Sequence, residues 1–282
     1  MKPAGLFVLI MAILLSACAT GRFSAGRDIS SIAEIMTQDS PGNNDKALYE
    51  PRTGTLFVLQ RETHEIHIYR ENIRINSIGG LGFERINFQR LSDIALDSEG
   101  SLLVLDTMHR RIKKFTPEGK YISEIALSET QQPEYFCPGG EQNIFVYDAA
   151  MQEIICYSLF DASVLYRFGK FQLSRVSALS CGRDYIVAYC VSENDSQVFF
   201  TLGQFKQSQS GQLVYDSFNN PLSMEKLKDT ATYSSLLRIS ETQTPIPLMQ
   251  SSGAMSLYRE YLSIPFEGYV KVYQLRYERN IQ

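Results

Sequence analysis

The stretch Leu91-Ser-Asp-Ile-Ala-Leu-Asp-Ser-Glu-Gly-Ser-Leu-Leu-Val-Leu-Asp-Thr-Met-His-Arg-Arg-Ile-Lys-Lys-Phe-Thr-Pro-Glu-Gly-Lys-Tyr-Ile-Ser-Glu-Ile125 decides the fold. Its short apolar or alternating segments, separated by three turns, predict four strands in an antiparallel meander. The clearest turn is Pro117-Glu-Gly-Lys120, because proline fixes φ and glycine allows a positive φ. One such sheet cannot bury both of its faces, so it must pack against copies of itself.

Four other segments repeat the centre of this stretch, which is an apolar strand, a turn and an alternating strand that ends in an aromatic residue. Successive copies start at 57, 103, 145 and 187, which are 46, 42 and 42 residues apart. A further copy starts at 262, and the gap of 75 residues before it leaves room for one diverged unit. A four-stranded repeat of about 40 to 45 residues predicts a β-propeller blade. The chain length fits six blades.

The diverged unit falls at residues 206–253, where polar segments interrupt the pattern. The residues allow either a decayed blade or an insertion on one face, where binding loops commonly lie. Gly211-Gln-Leu-Val-Tyr-Asp216 and Ser235-Leu-Leu-Arg-Ile239 could be strands, whereas Pro221-Leu-Ser-Met-Glu-Lys-Leu-Lys228 has the apolar spacing of a helix. We favour the decayed blade.

The second unit resembles the NHL repeat family of β-propellers. The similarity lies in Asp106, which follows the apolar strand, and in Arg111-Ile112, which begins the alternating strand. Asp148 matches in the third unit, whereas Gln60 and Cys190 replace the aspartate in the first and fourth. The resemblance implies an all-β propeller, and we expect six four-stranded blades with one of them diverged.

Two of the three histidines are candidate metal ligands. Some NHL-type propellers that resemble peptide-amidating lyases hold a catalytic metal with histidines near the central axis. His64 and His109 fall in equivalent turns of the first two units, so they are the candidates for such a site. His67 aligns with Lys113 at a strand position that we expect to be exposed. We favour solvated turn histidines over a metal site.

Four aspartates, Asp93, Asp97, Asp106 and Asp148, could suggest calcium. At these positions, next to predicted turns, we expect them instead to accept hydrogen bonds from turn amides.

Residues 1–17 are predicted to form a lipoprotein signal peptide. Lys2 gives a positive start, and the apolar core from Leu6 to Leu15 is short for a permanent membrane helix. The core ends in Leu15-Ser-Ala-Cys18, which resembles a bacterial lipobox. That resemblance implies cleavage before Cys18 and attachment of diacylglycerol to its thiol. The alternative is an ordinary signal peptide that contains a cysteine.

Residues 18–46 follow as the lipidated cysteine and a polar tether, and residues 47–282 are predicted to form the propeller. Residues 30–36 could be a helical turn or a strand that completes the last blade and closes the ring. Ala19 follows the cysteine, and by resemblance to enterobacterial lipoproteins a residue other than aspartate there favours the outer over the inner membrane. We expect a lipid-anchored protein of the bacterial cell envelope, facing the periplasm.

Four further cysteines, Cys137, Cys156, Cys181 and Cys190, allow three pairings if the compartment is oxidising. We expect buried free thiols rather than disulfides. The formal net charge of −4 excludes nucleic acid as an expected partner.

Two hypotheses about function remain open. The first is a non-enzymatic scaffold, held at the membrane by its lipid, that binds an envelope protein, a peptide or a glycan. The second is an envelope lyase or hydrolase with a site at the central axis of the propeller. The sequence has no Gly-x-Ser-x-Gly elbow and no phosphate-binding glycine loop. We favour the scaffold, and we assign no catalytic residue, no cofactor and no binding residue.

Overall fold

The structure, a computed structural model, describes residues 27–82, 84–140, 142–226, 235–239 and 245–278. Within these ranges, 24 strands form six four-stranded antiparallel sheets. This confirms the all-β propeller with six blades of four strands each. In the described part of the chain, no helix is long and apolar enough to cross a membrane.

The first strand of the chain, β1 (Ile29–Asp39), belongs to the last blade, and every other blade uses four consecutive strands. Blade 1 contains β2 (Lys46–Glu50), β3 (Thr55–Gln60), β4 (Glu65–Arg70) and β5 (Ile73–Gly79). Blade 2 contains β6 (Leu91–Leu96), β7 (Leu102–Asp106), β8 (Arg111–Phe115) and β9 (Tyr121–Ala126). Blade 3 contains β10 (Pro133–Gly139), β11 (Asn143–Asp148), β12 (Glu153–Ser158) and β13 (Val164–Phe168).

The second half of the ring follows the same order. Blade 4 contains β14 (Val176–Cys181), β15 (Tyr185–Cys190), β16 (Asp195–Phe200) and β17 (Phe205–Ser210). Blade 5 contains β18 (Gln212–Tyr215), β19 (Pro221–Lys226), β20 (Ser235–Arg238) and β21 (Ile246–Leu248). Blade 6 contains β22 (Ser256–Tyr258), β23 (Tyr261–Phe266), β24 (Tyr269–Tyr277) and β1, which is its outermost strand.

The ring is closed by β1, which pairs antiparallel with β24. Ile32 lies opposite Leu275 and Thr37 lies opposite Lys271. Of the two alternatives left open for residues 30–36, the ring-closing strand is therefore the correct one. The folded domain thus takes in part of the segment that the sequence assigned to the tether, whereas the predicted signal peptide and Cys18 lie outside the described residues.

Blade 5 is the diverged unit, and it is a decayed blade as favoured. Its strands β18 and β20 match the two segments suggested by the sequence. The helical expectation for 221–228 is wrong for residues 221–226, because β19 pairs with both β18 and β20; residues 227 and 228 lie outside the described residues. Leu222 and Met224 are both buried in the same apolar cluster, two residues apart, which is strand spacing.

The hydrophobic core lies between neighbouring blades. Phe57 and Ile68 of blade 1 share one buried cluster with Ile94 and Phe115 of blade 2. Full burial of an apolar side chain of this size contributes about 1.5–3 kcal/mol, so the stacking of blades supplies the main driving force for folding. A single blade has no such partner surface, which explains why the repeats come as a closed ring.

The first strand of each blade lines the central axis, and strand direction sorts the loops onto two faces. The mouth face carries the turns between first and second strands and between third and fourth strands; it includes residues 51–54, 97–101, 159–163, 182–184, 201–204, 216–220 and 259–260. The far face carries the turns between second and third strands and the connections between blades; it includes residues 61–64, 107–110, 127–132, 149–152, 169–175, 191–194 and 249–255.

Candidate functional site

A cavity of ≈ 520 Å³ lies at the axis of the ring of blades. Its wall is built by the first strands of all six blades, and it extends to the mouth face. There it is bordered by four pairs of residues at or next to the turns that follow first strands: Asp97-Ser98, Gly182-Arg183, Asp216-Ser217 and Tyr258-Arg259. Cavities of about 300–1,000 Å³ with mostly apolar walls are typical of small-molecule sites.

A buried ion pair lies at the axis. Lys46 lines the cavity, and its Nζ lies 2.8 Å from Oδ1 of Asp93, which has no exposed surface. The backbone N–H of Phe136 donates to Oδ2 of Asp93 at 3.0 Å. These contacts join blades 1, 2 and 3. Each charged group therefore has a buried partner of opposite charge, and the pair links neighbouring blades at the axis.

Gln212 joins blade 5 to the segment that enters blade 6. Its side-chain amide donates to the carbonyl of Met255 at 3.3 Å, and its Oε1 accepts from the N–H of Met255 at 3.1 Å. Gln212 lines both the axial cavity and a smaller cavity on the far face, so it lies between the two.

A disulfide joins Cys137 of β10 to Cys181 of β14, with a Cα–Cα distance of 5.7 Å. Both residues line the axial cavity. The expectation of free thiols is therefore wrong for this pair, because neighbouring first strands around the axis bring the two cysteines together. It is correct for Cys156 and Cys190, which are free and buried.

Contacts at the cavity mouth hold the turns in place. Oδ1 of Asp97 accepts the N–H groups of Glu99 and Ser101 at 3.0 and 2.9 Å. The Tyr258 hydroxyl donates to the carbonyl of Asp97 at 3.0 Å, and the Arg259 guanidinium donates to the carbonyl of Ser98 at 3.1 Å. Blade 6 is thereby tied to blade 2 beside the opening.

The repeated aspartates bind backbone amides on the far face. Asp148, fully buried, accepts from the N–H groups of residues 131, 132, 150 and 151 at 2.6–3.3 Å. Asp106 accepts from the N–H groups of Gln89 and Arg90 at 3.3 and 3.2 Å. Each carboxylate ties its blade to the connection that precedes it. The prediction that the four aspartates serve turn amides is confirmed for Asp97, Asp106 and Asp148. It is wrong for Asp93, because that carboxylate binds the Lys46 ammonium and the N–H of Phe136 at the axis.

The histidines that the sequence singled out lie on the far face, away from the cavity mouth. Nδ1 of His109 lies 2.7 Å from Oδ2 of Asp106, and Nδ1 of His64 accepts the N–H of Leu91 at 3.3 Å. Among the described residues, no three His, Cys, Asp or Glu side chains gather in a way that could hold a metal ion.

The expected exposure of His67 and Lys113 is wrong, because both side chains are buried. Nε2 of His67 lies 3.1 Å from Oε2 of Glu65. Burial lowers the pKa of Lys113, although Asp106 nearby opposes that shift, and its Nζ donates to the carbonyl of Asn87 at 2.7 Å. Neighbouring structure covers His67 on β4 and Lys113 on β8, so these two polar side chains are not solvated, whereas Arg111 at the start of β8 is exposed.

A smaller cavity of ≈ 220 Å³ opens on the far face. The Arg61 guanidinium lies over the Tyr135 ring at 5.2 Å, and its Nε donates to the carbonyl of Ser92 at 2.7 Å. Burial raises the pKa of the Asp45 carboxyl, although its hydrogen bond from the N–H of Arg61 opposes that shift. The sequence did not predict this cavity. Its lining residues are spread from position 45 to position 254 and form no local motif.

Comparisons with solved structures identify the fold. Virginiamycin B lyase from Staphylococcus aureus aligns with a TM-score of 0.59 at 10% identity, over 87% of this chain and 99% of that chain. A streptogramin B lyase aligns with a TM-score of 0.58 at 10% identity, over 87% of this chain and 98% of that chain. Hydrazine synthase from Kuenenia stuttgartiensis aligns with a TM-score of 0.51 at 13% identity, over 80% of this chain and 74% of that chain. No family description and no curated protein matches the sequence. The chain shares the propeller fold of these enzymes.

Proposed function

We propose that this protein is a lipid-anchored scaffold of the bacterial cell envelope, whose propeller binds an envelope protein, peptide or glycan without changing it chemically. The main support for the proposal is that charged groups of the axial cavity are bound to other groups of the protein. Lys46 is matched by Asp93, Asp216 and Asp97 accept turn amides, and Arg259 binds a carbonyl. Catalysis needs such groups aimed at a reacting atom, whereas here they hold neighbouring blades and turns.

Two observations support an envelope location. Leu15-Ser-Ala-Cys18 resembles a lipobox after a short apolar core. The Cys137–Cys181 disulfide is typical of exported proteins, because the cytosol keeps thiols reduced. Diacylglycerol on Cys18 would hold the propeller at the outer membrane, facing the periplasm.

The far face supports the binding role. It exposes large apolar side chains from several blades: Leu81 at 70%, Met108 at 66%, Phe171 at 93% and Met249 at 54%. Apolar residues that recur across one face, with polar residues between them, are typical of protein interaction sites. The wide rigid disc can present all of them to one partner.

Site-specific crosslinking in cells tests this proposal. A photo-crosslinking amino acid is placed at Met108, at Phe171 or, as a control, at Ile122 on the outer strand of blade 2, which is 47% exposed. We expect the two far-face positions to capture the same partner and Ile122 to capture none. Equal capture at all three positions, or no specific capture, would contradict a scaffold that uses this face.

The alternative, an envelope lyase or hydrolase, is also consistent with the fold comparison. The structures that align include lyases, one of them a catalytically inactive variant with quinupristin at a TM-score of 0.57 and 9% identity. The test is chromatography of quinupristin after incubation with the purified protein, with and without added Mg²⁺. Conversion that requires the protein would replace the scaffold proposal, and an unchanged elution profile argues against this substrate.

A further inference from the structure

The direction of β1 determines where the N-terminal segment leaves the propeller. Its last residue is followed by Ser40, whose N–H donates to the carbonyl of Gly268 on the far face, so β1 begins at the mouth face. There the Arg27 carbonyl accepts from the side-chain amide of Asn220 at 2.7 Å, and the Arg27 guanidinium lies 5.8 Å from the Phe218 ring centroid. The chain therefore enters the fold beside the turn 216–220, which borders the axial cavity.

The distance from Cys18 limits how the disc can sit on a membrane. Nine peptide units separate Cys18 from Arg27 and span at most about 32 Å when fully extended. First strands of up to seven residues are about 17–24 Å long, and turns on both faces add to the height of the disc. Seating on the far face would require nearly the whole tether to pass around the rim. Seating on the mouth face requires almost none of it.

The mouth face also exposes large apolar side chains. Phe160 is 97% exposed and Leu202 is 72% exposed. Both follow residues that are tied to the turns around the cavity mouth: Leu159 N–H donates to the carbonyl of Gln142, and Thr201 N–H donates to the carbonyl of Asp184. These side chains stand on the face from which the tether leaves.

We propose that the mouth face docks on the lipid bilayer, with Phe160 and Leu202 in its interfacial layer and the axial cavity open toward lipid. This inference rests on the lipidation of Cys18 in the proposed function. The face carries both signs of charge, since Arg183 and Arg259 lie near Asp184 and Asp216. Docking is therefore driven by apolar contact, which adds to the anchor, and it does not depend on anionic lipid.

Tryptophan reporters test this orientation, because the chain contains no tryptophan. Phe160→Trp on the mouth face and Phe171→Trp on the far face are matched, since the two phenylalanines are 97% and 93% exposed. Each full-length lipidated variant is reconstituted into phosphatidylcholine vesicles whose acyl chains carry bromine, a collisional quencher. We expect Phe160→Trp to lose most of its emission and to shift to the blue, and Phe171→Trp to keep both its intensity and its wavelength.

The outcomes separate the docking inference from the lipid anchor on which it rests. Mass spectrometry of the N-terminal peptide reports diacylglycerol on Cys18, and flotation reports anchoring. If the protein is lipidated and floats while neither tryptophan is quenched, or only Phe171→Trp is, docking through the mouth face is overturned and the anchor stands. If Cys18 carries no lipid, the lipid anchor of the proposed function and this inference both fail.

One further variant and one change of lipid test the mechanism of docking. Leu202→Ser in the Phe160→Trp background should reduce the quenching, because it removes one apolar contact without disturbing a buried residue. Addition of phosphatidylglycerol should leave the quenching unchanged. Quenching that appears only with anionic lipid would overturn apolar docking.

Discussion

Neighbouring blades are joined both at the axis and at the rim, and the two kinds of joint differ in burial. At the axis, the Lys46–Asp93 pair has side chains that are 9% and 0% exposed. At the rim, Arg70 and Glu118 join blades 1 and 2 at 3.3 Å, with side chains that are 34% and 50% exposed. A buried group that loses its partner cannot turn to water, whereas an exposed group can. The axial joints should therefore dominate stability.

Substitution of Asp93 should have the largest effect on stability. Asp93→Ala leaves the Lys46 ammonium and the Phe136 N–H buried without their acceptor. Removal of one partner of a buried ion pair costs about 3–5 kcal/mol, so we expect a loss of that size in denaturant unfolding. A cycle with Lys46→Met should show a coupling energy above about 1 kcal/mol. A loss no larger than that of a rim variant would show that water reaches the axis.

Removal of the disulfide should have the next largest effect. Cys137→Ser with Cys181→Ser opens a cross-link between residues 44 positions apart, and the chain-entropy relation gives about 4 kcal/mol, within a usual range of about 2–5 kcal/mol. Reductant should lower the Tm of the wild type and leave this variant unchanged. The matched control is Cys156→Ser with Cys190→Ser, which removes two free thiols. That control should keep its response to reductant, and loss of the response would point to a different pairing.

Blade 2 could be predicted from sequence because every local signal there agrees. The strands expected at 91–97, 101–106, 111–115 and 121–125 match β6 to β9 within one residue at each end. Asp106 and Asp148 were also predictable in role, since a carboxylate next to a turn finds free amides within a few residues. Local chemistry therefore determines the strands and turns of a regular blade.

The axial contacts could not be predicted in the same way, because they join residues of different blades. Lys46 and Asp93 are 47 positions apart, and Cys137 and Cys181 are 44 apart. Both separations are about one repeat, so equivalent first-strand positions become neighbours around the ring. Comparison of such positions one period apart is the signal that would have paired Cys137 with Cys181. The radius of the ring determines which equivalent positions are in contact. The sequence of a single repeat does not determine that radius.

The alternation of polar and apolar residues led to a wrong prediction of exposure for two residues on third strands. His67 and Lys113 occupy polar positions of alternating strands, a pattern typical of a sheet with one solvated face. Both are buried because the blade packs on neighbours through both faces. An alternating pattern therefore does not mean that one face of the sheet is solvated when blades stack on both faces. Buried polar partners, such as the carbonyl of Asn87 for Lys113, replace the lost contacts with water.

Disruption of a rim joint should have a small effect. Arg70→Ala removes the exposed pair with Glu118 and a hydrogen bond to the Thr55 hydroxyl. Exposed ion pairs contribute about 0–1 kcal/mol, so we expect a loss of free energy of unfolding within about 1 kcal/mol, which shrinks at high salt. The measurement is the same denaturant titration at low and high salt. A loss as large as that of Asp93→Ala would mean that rim and axis are equally important.

The smallest effect is expected at the far-face cavity, as a pH dependence. Burial raises the pKa of the Asp45 carboxyl, so the folded state favours its neutral form. Its contribution to stability is full below the unfolded pKa and is lost as pH rises through the raised folded pKa. Asp45→Asn stays neutral and keeps an oxygen that can accept the N–H of Arg61. The free energy of unfolding of the wild type, minus that of this variant, should therefore fall from acidic to neutral pH, by less than about 1 kcal/mol. A difference that rises with pH would show instead that the ionised carboxylate, through its contact with Arg61 at 3.7 Å, stabilises the fold.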